Sequence, residues 1–348
     1  MNRGEASIQV SPLRGDEHQL WREFLAASPT GSLYHDLDFL AYHPEGRFRF
    51  EHLVLRQEGQ ILALIPGGIA NREEGPVFTS PLGASFGGPA VKPYLRTAQC
   101  LAMVQTLQEY AQARGWAGMD MTLPPAVFAT PSSDVVSFAL FARGFTMANR
   151  WLCAMLDLEQ ADEPRYEALF RKRQATHVRA ARRKGMALVE AGAEGLSHFL
   201  EVFEDTYARH GVSATHSPQD IAWLLDRLPH RARLYLAMLD GRCAAGVLVF
   251  MLTKSVAYTF YICNSTALAE ERGMPFLYAE LADLLARRGV RWLDLGPACW
   301  DGNFNAGVTF FKESLGCVTH CRDRWSWRRS WTGAPALASR NFIMESAS

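Results

Sequence analysis

The feature that most constrains this chain is an internal repeat. A glycine that ends a stretch of helical spacing recurs 174 positions later, as Gly115 and Gly289. The same offset separates Asp120 from Asp294, each of which lies in the short apolar strand that follows. Because a pattern that recurs at a fixed spacing builds the same unit again, we expect two similar units in tandem.

Other landmarks of the two halves match. Windows 48–69 and 233–254 each contain an apolar run, a polar turn that ends in glycine and a second apolar run, which is the pattern of a β-hairpin. Each half then continues with a helix, a strand, a second helix and a final strand. The order predicts an α/β fold with mixed sheets, in two units at 1–157 and 158–335 with a tail at 336–348.

Composition excludes several classes of protein. The 36 Lys and Arg residues balance 36 Asp and Glu residues, whereas bulk nucleic-acid binders are usually strongly basic, so no DNA partner is expected. No apolar run reaches the length of about 18 residues that a membrane-spanning helix needs, and the polar N-terminus shows no signal peptide. The seven cysteines are an odd number at scattered spacings, so we expect free thiols in a cytoplasmic protein.

Several segments resemble motifs of a known family. They are RKRQATHVRAARRKG at 171–185, LDLG at 293–296, GVTFFKESLG at 307–316 and the first-half loop SPLGASFGGP at 80–89. Together with the order of elements, they resemble the FemAB-type transferases, which consist of two tandem GNAT-like (acyl-CoA N-acyltransferase-like) domains. The resemblance implies transfer of an acyl or aminoacyl group to an amine, with the acceptor on the side of the first domain.

The acyl donor stays open between acyl-CoA and aminoacyl-tRNA, each as a co-substrate and neither bound tightly. In GNAT enzymes a Q/R-x-x-G-x-G/A loop before the long helix cradles the pyrophosphate of CoA, and here residues 270–275 read EERGMP. Pro275 lacks an N–H donor, and Glu270 and Glu271 repel an anion. The loop therefore argues against a standard CoA site, whereas the neutral net charge argues against an extensive tRNA surface.

Three residues of the second half are predicted to be catalytic. The resemblance makes Lys312 the cation that stabilises the oxyanion formed during transfer, with Phe311 shaping the pocket. Asp294, at the end of an apolar strand, is a candidate to accept the amine proton or orient the amine, and capping of the next turn is the alternative. Asp120 is its counterpart in the first half. No Ser–His or Cys–His arrangement argues for a covalent intermediate, so direct attack by the amine is predicted.

A run of seven basic residues without an acid lies at 171–184. Such a density of charge suits a phosphate-bearing partner, namely a nucleotide-linked precursor, a tRNA acceptor end or CoA, although a solvated helix face is the alternative. The residues predicted to bind phosphate or substrate in this run are Arg171, Arg173, Arg179, Arg182 and Arg183. In the irregular loop CWDGNFNAG, the aromatic residues Trp300 and Phe304 are predicted to face a ligand.

Other patterns are interpreted as structural. Cys317, His320 and Cys321 form C-x-x-H-C, but their side chains diverge along a strand, so no metal is expected. The G-x-S-x-G sequence at 83–87 has flanks that break regular structure, which excludes a hydrolase elbow but allows the loop to line a cleft. Three polar residues near the start of the chain are weak candidates that a helix N-terminus also explains: His35, Asp36 and Asp38.

The sequence therefore predicts an enzyme that transfers an acyl or aminoacyl group to the primary amine of a cell-envelope precursor, an amino sugar or a small metabolite. The alternative is a catalytically inactive tandem-domain protein that binds or scaffolds a nucleotide-linked envelope precursor.

Overall fold

A computed structural model describes residues 7–44, 46–160, 166–211, 214–300 and 302–331. The helices are α1 His18–Ala27, α2 Leu37–Leu40, α3 Thr97–Ala113, α4 Val135–Ala142, α5 Lys172–Arg183, α6 Leu196–His210, α7 Pro218–Arg227, α8 Gly273–Arg287 and α9 Ala306–Ser314. The strands of the first half are β1 Ile8–Pro12, β2 Arg49–Phe50, β3 Leu53–Gln57, β4 Gln60–Ile65, β5 Gly68–Arg72, β6 Gly75–Ser80, β7 Ala90–Val91, β8 Gly118–Thr122 and β9 Thr146–Asp157. The strands of the second half are β10 Ala187–Ala191, β11 Ala232–Leu239, β12 Arg242–Met251, β13 Val256–Asn264, β14 Trp292–Trp300, β15 Asn303–Phe304 and β16 Val318–Arg328.

The two predicted hairpins are confirmed. Strands β3 and β4 are joined by Glu58 and Gly59, and β11 and β12 by Asp240 and Gly241. All four turn residues have positive φ angles, between 49° and 77°. Two central residues with positive φ are the mark of a type I′ turn, whose twist matches that of antiparallel strands and which favours glycine at its second position. The repeated glycine therefore reflects a repeated turn geometry.

The two halves exchange their last strands. One sheet has the order β1-β3-β4-β7, and the other has the order β10-β11-β12-β13-β14-β9-β16-β8-β6-β5-β2, with β15 paired to β14. Strand β9 of the first half thus lies between β14 and β16 of the second, and β16 pairs with β8 of the first. The exchange joins strands of both units in one continuous sheet, while β1, β3, β4 and β7 form a separate sheet.

Helices cover both faces of this sheet in the second half. On one face, the buried residues of α5 and α8 pack with β11–β14 in an apolar cluster that includes Leu277 and Leu295. On the other face, α6 and α7 pack with β13 and β9 in a cluster that includes Tyr258 and Met155. No helix among the described residues is long and apolar enough to cross a membrane.

Candidate active site

A wedge opens between the parallel strands β13 and β14. They pair only at Val256–Tyr258 with Trp292–Asp294. Beyond Asp294 the register of β14 against β9 shifts twice, and Gly296 has a φ of 77°, in the left-handed region that favours glycine. The irregular strand diverges from β13 and leaves a gap in the sheet.

A cleft of about 970 Å³ occupies this wedge. Its walls include Leu295 and Met274 from the apolar cluster beneath α8, and also Tyr258 and Phe260 from the opposite face of the sheet. The cleft therefore connects the two faces, so that two substrates can approach one point from opposite sides. Its volume is that of a site for a small molecule or cofactor.

Basic side chains line the cleft on the α5 and α8 side: Arg173 and Arg272, with His177, whose pKa burial lowers, beside them. A third arginine, Arg209, lines the cleft from α6, the helix on the other face. The two glutamates that argued against an anion at this loop are neutralised, because Glu270 accepts from Arg272 at 3.2 Å and Glu271 accepts from Lys184 at 2.5 Å. The mouth can therefore bind a phosphate-bearing ligand, although Pro275 supplies no N–H there.

The start of α8 lies directly against the sheet. A Cβ on Gly273 would be 2.9 Å from the Cβ of Ala244 on β12, so only glycine allows this approach. The first turn of a helix presents N–H groups without intrahelical partners and a positive dipole end. Gly273, Met274 and Pro275 of this turn line the cleft, next to the basic side chains.

Lys312 is a buried ammonium group held by the backbone of β14. Its Nζ donates to the carbonyl oxygens of Leu295, Gly296 and Pro297 at 2.7, 2.9 and 2.9 Å. An ammonium has three protons, so all its donors are engaged. Burial lowers the pKa of Lys312, while the charge of Asp294 acts in the opposite direction. Lys312 and the half-buried Phe311 line the cleft. Lys312 can act on a ligand there through its positive charge, because none of its N–H groups is free to donate.

Asp294 is fully buried and only half satisfied. Its Oδ1 accepts from the N–H of Gly296 at 2.7 Å, which is the turn cap that the sequence offered as an alternative. Its Oδ2 has no hydrogen-bond partner. Burial raises the pKa of Asp294 to about 6, against the opposing effect of Arg322 and Lys312. A carboxyl group with such a pKa can accept a proton near neutral pH.

Asp120 occupies the equivalent place in the first half but is fully paired. It accepts from Arg324 at 2.8 Å, from Ser326 at 2.7 Å and from Arg328 at 2.7 Å. Hydrogen bonds from Arg328, Ser326 and Arg324 hold the pKa of Asp120 below its usual value despite the burial that raises it. The repeat therefore carries a structural carboxylate in one half and an incompletely satisfied one in the other.

The structure separates the basic residues of 171–184. Arg173 lines the cleft, whereas Arg182 pairs with Glu167 and, at 2.5 Å, with Glu280 of α8. Arg182 thus fastens α5 to α8, and its guanidinium is occupied by these carboxylates. Arg171 stacks on Phe310, with 5.1 Å between its Cζ and the ring centroid. The side chains of two further members of the run are exposed and do not line the cleft: Arg179 and Arg183.

One of the two loop aromatics can be placed. Phe304 on β15 is 71% exposed and does not line the cleft, and the side chain of Trp300 lies outside the described part of the structure. Sequence reasoning missed Arg322 on β16, a buried guanidinium that lines the cleft beside Tyr258. The position of Arg322 in an alternating strand was visible in the sequence, but the direction in which its side chain points depends on the strand exchange.

The remaining motifs have structural surroundings. His35 is buried between Ser32 and the carbonyl of Gly88, and burial lowers its pKa to about 4. Part of the loop at 83–87 lines a second cavity of about 250 Å³ between the two halves, together with His320. Within the described residues, no group of three metal-ligating side chains converges. Asp36 caps α2 by accepting from the N–H of Asp38, whose carboxylate pairs with Arg22.

Comparison with known proteins identifies the second half. Residues 170–312 match the family described as "Acetyltransferase (GNAT) domain". This match confirms the GNAT-like unit expected there and assigns acyltransferase activity to the chain. No curated protein matches the chain.

Solved structures show a similar fold over most of the chain. FemX is 13% identical with a TM-score of 0.72, and the alignment covers 92% of this chain and 97% of that one. L-PGS from Bacillus licheniformis is 14% identical with a TM-score of 0.55, covering 92% and 93%. A tandem GNAT protein from the clavulanic acid biosynthesis pathway is 15% identical with a TM-score of 0.52, covering 92% and 98%. These likenesses confirm the tandem GNAT-like fold that the resemblance to the FemAB-type transferases implied.

Proposed function

We propose that this chain, an acyltransferase with a FemAB-like tandem GNAT fold, moves an acyl group from a CoA thioester through the wedge between β13 and β14 to a primary amine on the opposite face. The matched GNAT domain implies acyl-CoA as the co-substrate. The single observation that carries the proposal is the wedge, a gap in the sheet with basic side chains at one mouth and a buried carboxylate beside it.

The donor would enter from the α5 and α8 side. Arg173 supplies positive charge for the phosphates of CoA, next to the first turn of α8, and Arg209 adds positive charge from the end of α6. In the described part of the chain, the edge of β13 that faces β14 has no ladder partner beyond Tyr258. A strand edge of this kind can pair with the amide groups of a pantetheine arm, which would direct the thioester into the wedge.

The reaction is direct attack of the neutral amine on the thioester carbonyl. A C–N bond forms, the C–S bond breaks, and the sulfur leaves as a thiolate, which takes a proton from solvent to become the thiol of CoA. Asp294 is proposed to accept the proton that the amine loses, because its Oδ2 is free and the three residues after it line the cleft. Lys312 contributes its charge to stabilising the oxyanion, and Phe311 packs against the acyl group.

The acceptor is proposed to be a primary amine of a cell-envelope precursor, an amino sugar or a small metabolite in the cytoplasm. A tRNA acceptor end, which would belong to an alternative donor on the α5 face, fits the exposed Arg179 and Arg183, which lie on α5 outside the cleft. In the tRNA case the donor would be an aminoacyl ester, and the same wedge would hold its carbonyl.

The test is calorimetric titration of acetyl-CoA and desulfo-CoA at low and moderate salt, followed by mass spectrometry of a pooled amine library. Binding should weaken with salt, and Arg173→Glu should weaken it about tenfold, since each phosphate contact is a charge-assisted one. Arg183→Glu on the same helix is the matched control and should bind as the parent does.

Two results would contradict the CoA proposal. One is no binding of either CoA compound, in which case transfer of labelled amino acids from charged tRNA becomes the assay. The other is equal loss of binding in the Arg173 and Arg183 variants, which would mean that the phosphates contact the outer face of α5 rather than the mouth of the cleft.

A further inference from the structure

A buried guanidinium in the wall of the cleft has donor atoms without partners. Arg322 is only 7% exposed, yet it lines the cleft. Its Nε and Nη1 have no hydrogen-bond partner, and it forms no ion pair with any carboxylate of the described residues. Buried charges in proteins are normally paired, because leaving one unpaired is costly. The site is therefore incomplete without an anion.

The surroundings of Arg322 orient it but do not neutralise it. Its Cζ lies 5.3 Å from the ring centroid of Trp151. Stacking of this kind engages the flat face of a guanidinium. Its edge hydrogen-bonds with the hydroxyl of Tyr258, while Nε and Nη1 have no partner. The nearest described carboxylate that influences it is Asp294, which acts at more than ion-pair distance.

The charges of the cluster leave one positive charge in excess. Lys312 and Arg322 are cations, and Asp294 is the one described carboxylate that interacts with both of them. Lys312 has given its three donors to backbone carbonyls, so Arg322 is the cation with N–H groups to offer. One monovalent anion would balance the cluster, whereas a phosphate dianion would exceed it and repel Asp294.

Arg322 lies on the side from which the acceptor would come. It interacts with Tyr258 and Tyr34, and both belong to the apolar cluster on the face opposite α8. The basic mouth proposed for the donor lies on the α5 and α8 face. A ligand that reaches Arg322 with its anion therefore belongs to the acceptor rather than to CoA.

We propose that Arg322 binds a carboxylate of the acceptor, so that the substrate class is an amino carboxylate: an amino acid, or a larger molecule with a carboxylate near its reactive amine. This inference rests on the proposed function for the identity of the reacting amine, but the anion site itself does not require turnover. Arg322 acts as a specificity-determining residue, because an amine that carries no carboxylate would leave the N–H donors of Arg322 unpaired.

The test is thermal unfolding without any acyl donor. Alanine, β-alanine and γ-aminobutyrate serve as amino carboxylates, alaninamide as the matched neutral amine, and inorganic phosphate as the competing anion. We expect the amino carboxylates to raise the melting temperature of the parent protein, and alaninamide to leave it unchanged. Arg322→Gln should abolish the rise, and Arg322→Lys should retain part of it. Arg227→Gln, on the exposed end of α7, is the matched control and should behave as the parent does.

Folding of the variant does not limit this experiment. Arg322→Gln removes a buried charge that forms no ion pair among the described residues, so without ligand it should melt at the same temperature as the parent or higher. With acetyl-CoA as donor, the same variant should raise KM for amino carboxylates about 10- to 100-fold, the range of one lost charge-assisted contact, and leave the rate with alaninamide unchanged.

Several outcomes would overturn the inference. They are stabilisation by alaninamide equal to that by alanine, stabilisation of the parent by phosphate alone, no stabilisation by any amino carboxylate, or an unchanged response in Arg322→Gln. A uniform loss of kcat for every amine would instead assign Arg322 to the oxyanion. If amino carboxylates bind through Arg322 but no CoA compound binds, the anion site stands and the donor proposal fails.

Discussion

The two aspartates related by the repeat should respond in opposite ways to the same substitution. Asp120→Asn removes the negative charge from a buried site where two arginines and a serine donate to it. Breaking a buried ion pair from one side leaves the other partners uncompensated, which typically costs about 3–5 kcal/mol. We expect the free energy of unfolding of Asp120→Asn to fall by about that amount at pH 7.

Asp294→Asn should have little effect on stability or increase it. Burial raises the pKa of Asp294 from 3.8 to about 6, which corresponds to about 3 kcal/mol of unfavourable free energy when the group is ionised. Asparagine removes this penalty and keeps an oxygen for the N–H of Gly296. The buried amide NH₂ of the asparagine, however, lacks a hydrogen-bond partner, which costs about 1–3 kcal/mol of stability. The net change at pH 7 should lie between zero and about 2 kcal/mol of added stability.

The pH dependence gives a second, independent signature. A raised carboxyl pKa means that the parent protein is most stable with Asp294 protonated, so stability is lost as the pH rises from about 4 through 6. Asp294→Asn should lack this loss. The lowered pKa of Asp120 acts in the other direction, since its contribution is present above the ordinary pKa and is lost as the pH falls through the lower folded value.

The assay is urea unfolding of the parent and both variants at several pH values between 4 and 8, with equal m-values as the check that the states compared are the same. The reasoning is refuted if Asp294→Asn destabilises the protein as strongly as Asp120→Asn, or if its effect does not change between pH 4 and 7. In turnover, Asp294→Asn should reduce kcat by about 100-fold, the usual contribution of a general base, and remove the decline of the rate below about pH 6.

Two further predictions concern basic residues. Lys312→Met should lower the free energy of unfolding by about 3 kcal/mol, because three carbonyl groups of β14 lose their donor, and it should also abolish transfer. Urea unfolding checks the stability against Lys172→Met, an exposed control. An unchanged stability would contradict the contacts described. Arg182→Met should lower the free energy of unfolding by about 2–3 kcal/mol, because it loses the ion pairs with Glu280 of α8 and with Glu167 before α5. The affinity for acetyl-CoA, measured by calorimetry, should not change. Weaker binding would mean that Arg182 contacts the phosphates.

Some features of the site were accessible from sequence because they depend on local pattern. The motifs at 171–185 and 307–316 were recognised from short stretches of sequence. Three of their residues line the cleft: Arg173, Phe311 and Lys312. Asp294 was recognised by its place in the repeat. The same pattern could not distinguish it from Asp120, because the difference lies in Arg324 and Arg328 on β16, more than 200 residues away from Asp120.

Other features of the site depend on tertiary contacts, because the sequence of a basic run does not show which residues it contacts. The segment 171–184 contains no acid of its own, yet Glu280 and Glu271 from the α8 region neutralise part of it. The same glutamate, Glu271, was expected to repel an anion at the loop, and the pairing with Lys184 removes that objection. Both corrections come from the packing of α5 against α8.

The sequence by itself determined the tandem repeat and the two hairpin turns, because apolar periodicity and glycine in left-handed turns are properties of short segments. It did not show the additional strands β5, β6 and β13 that follow the hairpins. The tertiary structure decided the exchange of β9 and β16, and with it the position of Arg322 in the wall of the wedge. Strands that pair can lie far apart in the chain, and their backbone hydrogen bonds are chemically alike at every register. Side-chain packing in the folded protein therefore decides which strands pair. The pairing of β9 and β16 places the charge of Arg322 in the cleft without an ion-pair partner among the described residues.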